Sequence, residues 1–134
     1  MKGNNDLVRG WLRKAASDIV SMEATLRAGS LDGACFHAQQ AAEKYLKAFL
    51  LYHSTPFPHT HNLEDLVDLC GRIDASFHSL TSQVAALTPY AVRLRYDDSF
   101  WPTMDLAEEA RATALAVRGC VLLRLPKELS ESPS

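Results

Sequence analysis

Four polar side chains fall within one short run, QAAEKYLK, at Gln40, Glu43, Lys44 and Lys47. Two lysines about one helical turn apart are able to contact an anion or a phosphate. The plainer alternative is a solvated helix face on which Glu43 and Lys47 make an i,i+4 pair worth a few tenths of a kcal/mol. A second group stands in PYAVRLRYDD, where Arg93 and Arg95 are flanked by Tyr90 and Tyr96. Arginine interleaved with aromatics can stack a base and hold a phosphate. Against that, Asp97 and Asp98 follow directly and can neutralise the arginines while the tyrosines close the end of a bundle. A third group is HTHN, with His59 and His61. An HxH pair without a third ligand in view points away from a metal site, and His61 beside Asn62 is better suited to fixing a loop onto the helix that follows.

These groups need elements to hold them, and helical periodicity supplies the elements. From Asp6 to Ala28, apolar Leu7, Trp11, Ala15, Ile19, Met22 and Leu26 recur at steps of three and four, one stripe on a long helix. Gly29-Ser30 is a stop signal. A second long helix is predicted from Leu31 to His53, and two long helices joined by so few residues must pack antiparallel. On it, at about 100° per residue, Cys35, Ala38, Ala42, Leu46 and Phe49 face the core. The polar run gathers on the opposite arc with His37 at its edge, yet Phe36 and Leu51 also point there. A purely solvated face would not carry both, so that arc is expected to be covered, by other helices or by a second subunit.

The segment STPFPHTHNLEDL has two prolines that forbid continued helix, and Asn62 with Asp65 behind it forms an N-cap signature for a third helix from Leu63 to Ile73. Residues 76–95 repeat at helical steps through Phe77, Leu80, Val84 and Leu87, with Pro89 as a kink. RYDDSFWPTM reads as a loop whose SFWP cluster is a lid or an interface anchor. A last helix from Asp105 to about Leu125 is marked by its acidic first turn and by Pro126 beyond it. The tail KELSESPS is expected to fray. The fold class is therefore all-α, an up-and-down bundle of four to five helices, with one domain over 1–126 and a flexible tail over 127–134.

Composition bounds the rest. The chain of 134 residues has 47% hydrophobic and 22% charged residues and a net charge of −2, an ordinary globular balance with no overall electrostatic reason to bind nucleic acid. Its three cysteines, Cys35, Cys70 and Cys120, are odd in number and far apart, which suggests buried thiols in a reducing cytosol. MKGNNDLVRG lacks an apolar signal core, and no run of about 18 uncharged apolar residues occurs. A cytoplasmic protein without membrane spans, metal or cofactor is expected.

The order ACFHAQQAAEKYLKAFLL, HTHNLEDL, LTPYAVRLRY, followed by a helix with an acidic start, resembles the HEPN domain family (higher eukaryotes and prokaryotes nucleotide-binding), in particular its small prokaryotic members. The resemblance runs from WLRKAASDI to about residue 124. It implies a helical bundle that often dimerises and is commonly encoded beside a minimal nucleotidyltransferase in a toxin and antitoxin pair. Many such relatives are metal-independent ribonucleases whose Arg and His, four to six residues apart, meet across the dimer. Others lack the motif and serve as non-catalytic binding modules. In this chain RIDASFH places five residues between Arg72 and His78. Ile73 stands where the ribonuclease form has a polar residue, and Ser79-Leu80 follow the His where a Tyr is usual. The resemblance therefore implies first a nucleotide-binding or partner-binding module working with a nucleotidyltransferase. A ribonuclease using Arg72 and His78 is the alternative. Gln40, Glu43, Lys44, Lys47, His61, Tyr90, Arg93, Arg95 and Tyr96 are the candidate contacts for a nucleotide, an RNA or a partner.

Overall fold

The computed structural model describes residues 2–130, with side chains from Asn4 onward. Helix α1 (Lys2–Arg27) runs into α2 (Leu31–Tyr52), and α3 (Leu63–Ile73) follows the proline loop. A 3₁₀ segment (Ala75–Leu80) leads through α4 (Thr81–Leu87) and α5 (Tyr90–Tyr96) to the long α6 (Met104–Leu123) and the short α7 (Lys127–Ser130). No strand occurs among the described residues, so the chain is an all-α bundle.

The α1–α2 hairpin forms as the spacing predicts. Gly29 adopts φ 82°, and the Ser30 amide donates to the Thr25 carbonyl at 2.8 Å, a left-handed cap that glycine enters without a Cβ clash. The buried stripe of α1, however, is Val8, Leu12, Ala15, Ile19 and Met22. Its first two turns are thus one residue out of phase with the predicted stripe, and Leu7 is left 59% exposed.

Helix α2 is the centre of the bundle. It is covered by α1 along one side and by α6, α3 and α5 on the others, and its alanines at 34, 38, 41, 42 and 48 are buried. Small side chains let the surrounding helices approach closely, which is why a helix so rich in alanine suits the middle. The charged arc is inside too. Gln39, Glu43 and Lys47 are buried, and the cover comes from the same chain.

Helix α3 begins and ends where the sequence predicts, because its cap is local chemistry: the Asn62 side chain accepts from the Asp65 amide at 3.0 Å. The predicted helix over 76–95 is instead three pieces. Asp74 accepts from the Ser76 amide at 3.0 Å and starts the 3₁₀ segment, while Pro89 separates α4 from α5. The C-terminal region also differs from expectation. Lys127–Ser130 is helical and Leu129 is buried against the core, so the chain does not fray at 127; residues 131–134 lie outside the described region. Side-chain clasps tie the ends together. Arg111 grips Glu23 through Nε at 2.5 Å and a second nitrogen at 2.9 Å, joining α6 to α1, and Arg124 Nε donates to Asp74 at 2.9 Å.

Candidate functional site

Three groups of polar side chains emerge, at different places in the bundle. The first is internal. Lys47 Nζ donates to Glu43 Oε2 at 3.0 Å and Gln39 Nε2 to Glu43 Oε1 at 3.1 Å. The imidazole of His61 meets the same Oε1 through Nδ1 at 2.8 Å, and Gln39 also donates to the His61 carbonyl at 3.3 Å. His61 therefore straps the proline loop onto α2, and not onto the following helix α3 as the sequence suggested, because its ring reaches the Glu43 carboxylate; that ring stays 57% exposed. Lys47 lies 5.9 Å from the Trp11 ring centre and 5.7 Å from that of Phe57, a cation held between two π faces. Burial alone would raise the Glu43 pKa, but hydrogen bonds from His61, Lys47 and Gln39 outweigh it and hold the carboxyl below its ordinary value. Alongside, Asp18 of α1 receives His37 Nδ1 at 2.9 Å and Lys44 Nζ at 2.5 Å, and Gln40 donates to Gln39 at 2.7 Å. Glu43 and Lys47 are thus buried, whereas Gln40 and Lys44 stay half-buried at the rim.

The second group surrounds a cleft of about 270 Å³ lined by Asp32, Leu94, Arg95, Tyr96, Asp97, Asp98, Phe100 and Trp101. Tyr90 and Arg93 are not among its walls. Tyr90 is buried and its ring stacks with Phe100 at 6.0 Å between centres, and the Arg93 guanidinium lies over the Phe100 ring at 3.8 Å. Burial pushes the Tyr90 hydroxyl up to about 12. Asp97 accepts from the Ser99 amide at 3.1 Å and hydroxyl at 2.6 Å, with Arg93 at 3.8 Å; the Ser99 bonds hold this carboxyl below its ordinary value. Arg95 makes no ion pair among the described residues. It lies 5.5 Å from the Tyr96 ring centre and 6.0 Å from that of Phe36. Tyr96 is 75% and Trp101 70% exposed. Of the two arginines that Asp97 and Asp98 could neutralise, Arg93 alone stands near one of them, and of the two tyrosines Tyr90 is buried while Tyr96 is exposed beside the unpaired Arg95.

The third group is Arg72 and His78, both exposed. They come from one edge of the bundle, since the His78 ring lies over Gly71: a Cβ added there would fall 2.2 Å from its Cε1. The Arg72 guanidinium is turned to Asp68 of its own helix at 2.9 Å. No cluster of three or more His, Cys, Asp or Glu able to hold a metal occurs among the described residues.

The HEPN domain family model matches residues 8–125. The chain belongs to the HEPN family. The crystal structure of TT1696 from Thermus thermophilus is similar to this HEPN chain at a TM-score of 0.72 and 27% identity, covering 88% of this chain and 98% of that one. No curated protein matches. Two features of this HEPN bundle escape sequence reasoning. Gln39 is easily passed over, although it stands four residues before Glu43 and eight before Lys47, the spacing that lines up side chains on one helix face. Trp101 reads only as part of an aromatic loop, and its place beside Tyr96 depends on how that loop returns to α5.

Proposed function

We propose that the chain is a non-catalytic, partner-binding HEPN module, which dimerises and works with a separately encoded nucleotidyltransferase in a toxin-antitoxin-like pair. The observation that carries this is the pair of large exposed aromatics, Tyr96 and Trp101, around an open cleft at the end of α5. Tyrosine, tryptophan and arginine are the side chains that dominate protein interfaces. Val92, 53% exposed, sits one turn before Tyr96 and widens the apolar face. The charge of the cleft decides between ligand classes. Asp32, Asp97 and Asp98 line it against the single Arg95, which repels phosphate and weakens the case for a nucleotide or RNA at this point. Its volume also falls below the roughly 300–1,000 Å³ of ordinary small-molecule pockets.

The test is to co-express the chain with the nucleotidyltransferase encoded nearest to it and measure masses by light scattering. A complex that survives chromatography and is lost in Trp101→Asp supports the proposal. A chain that stays monomeric and never comigrates sinks it.

One observation favours a ribonuclease as second reading: the packing of His78 on Gly71 brings it to the same exposed edge as Arg72. In that chemistry His78 would take the proton of a 2′-hydroxyl and Arg72 would steady charge at the phosphorus, after breaking from Asp68. Growth arrest on expression, relieved by His78→Ala, is its signature; a harmless wild-type chain removes it.

A further inference from the structure

The cleft at the end of α5 carries more than exposed aromatic surface. Its carboxylates are unequally engaged. Asp97 is taken by Ser99 and Arg93. Asp98 has no side-chain hydrogen bond or ion pair among the described residues, and Asp32 accepts only from the Ser30 hydroxyl at 3.3 Å. Arg95, although it lines the same cleft, forms an ion pair with neither and leans toward the Tyr96 and Phe36 rings. The fold has already built one cation-on-ring arrangement next door, with Arg93 at 3.8 Å over Phe100. Trp101, the next residue, has an exposed ring, and among the described residues the Asp98 and Asp32 carboxylates lining the same space have no cation partner and no cation lies over the ring.

We infer that this cleft receives a lysine or arginine side chain from a basic segment of the protein partner, seated against Trp101 and Tyr96 and neutralised by Asp98 and Asp32. The inference rests on the partner-binding proposal and names the partner's chemistry. Charge complementarity supplies the choice of occupant. With Asp97 engaged by Arg93 and Ser99, the carboxylates of Asp98 and Asp32 stand against the one guanidinium of Arg95 and favour a cation, and an aromatic face strengthens its hold as water leaves. The space, about 270 Å³, suits one long side chain rather than a folded ligand. A basic side chain seated among Tyr96, Trp101 and Leu94 is the kind of contact in which one residue carries much of the binding.

The chain has two tryptophans, so an amide correlation spectrum holds one indole signal in the cleft and one, from Trp11, elsewhere as an internal control. Titration with a hexalysine peptide is expected to move the Trp101 signal saturably and leave Trp11 in place. The same peptide acetylated on every side chain should move neither. The Asp32→Asn/Asp98→Asn double variant should bind hexalysine at least about fivefold more weakly. A Trp101 signal unmoved at millimolar peptide, an unchanged affinity in the double variant, or a stronger response to hexauridylate overturns the inference, the last by naming nucleic acid as the occupant. Light-scattering mass with Trp101→Ala separates this from failure of the proposed function. Loss of the assembly without a lysine response removes only the cation, and an unaltered assembly beside a clear lysine response removes the partner face and leaves the cleft.

Discussion

Replacing Glu43 by methionine removes the acceptor shared by His61, Lys47 and Gln39 while nearly keeping the side-chain volume. Three hydrogen bonds to a charged group, at about 1.5–3 kcal/mol each, would sum to roughly 4.5–9 kcal/mol if they were independent. They are not, because all three act on one carboxylate and His61 is 57% exposed, so its bond is partly replaced by water. What dominates is the Lys47 ammonium, 9% exposed in its side chain, left without a counter-charge between Trp11 and Phe57. Breaking one partner of a buried pair costs about 3–5 kcal/mol, a large share of the roughly 5–15 kcal/mol that holds a domain together. With a urea slope of about 1.5 kcal/mol/M, the unfolding midpoint followed by circular dichroism should fall by about 2–3 M. The double variant Glu43→Met/Lys47→Met removes the orphaned charge as well and should recover most of that loss. A single variant that costs less than about 1 kcal/mol, or a double variant no better than the single, would refute the account of Glu43 and Lys47 as a mutually dependent buried pair.

Other expectations follow from local geometry. Gly29→Ala forces a Cβ into the left-handed region at φ 82° and should cost about 1–2 kcal/mol in thermal unfolding. Gly71→Ala should displace the His78 ring, because its Cβ would lie 2.2–2.7 Å from the ring atoms. The ring is an exposed, movable end and alanine suits a helix better than glycine by about 1 kcal/mol, so stability should change little while the His78 ring signals shift in a proton spectrum. Acid should destabilise the fold in a defined sense. The carboxyls of Glu43, Glu23 and Asp74 are held below their ordinary values, chiefly for Glu23 by Arg111 and for Asp74 by Ser76. Their contribution is complete above the unfolded-state pKa and is lost as pH drops through the lower folded values. Urea midpoints should therefore be level near neutrality and decline below the usual carboxylate range; a midpoint unchanged at about pH 3 would contradict this.

Elements stabilised by adjacent residues are readable from sequence. Asn62 caps α3 through an amide three positions on, and Gly29 ends α1 through its own torsion, so both boundaries stand in the order of residues. What depends on distant chain is not readable. The wheel of α2 identifies the Cys35 to Phe49 face as core and shows from Phe36 and Leu51 that the other arc is covered. That the cover is α1 and the proline loop depends on His61 returning over eighteen residues to Glu43. Pro89 marks a break in sequence and in structure alike, but the start of the 3₁₀ segment at Asp74 rests on a cap resembling many loop contacts. Between the arginines, the sequence offers one cue, Asp97 four residues after Arg93, whereas Ser99 stands four after Arg95; the return of Phe100 to Arg93 depends on the loop and is not readable.

The buried charges of α2 bear on which packing the chain chooses. Alanines at 34, 38, 41, 42 and 48 make a nearly smooth rod, and a smooth rod fits its neighbours almost as well after sliding by one turn, about 5.4 Å. Oil-like contacts alone hardly tell the two alignments apart. With Glu43 reaching for His61, Lys47 lodged between Trp11 and Phe57, and Lys44 tied to Asp18, a slide strands several charges at once. The polar interior thus acts as a key that admits one alignment of α2 among its neighbours. Through α5 and α6, which lean on that helix, it sets where Tyr96 and Trp101 stand.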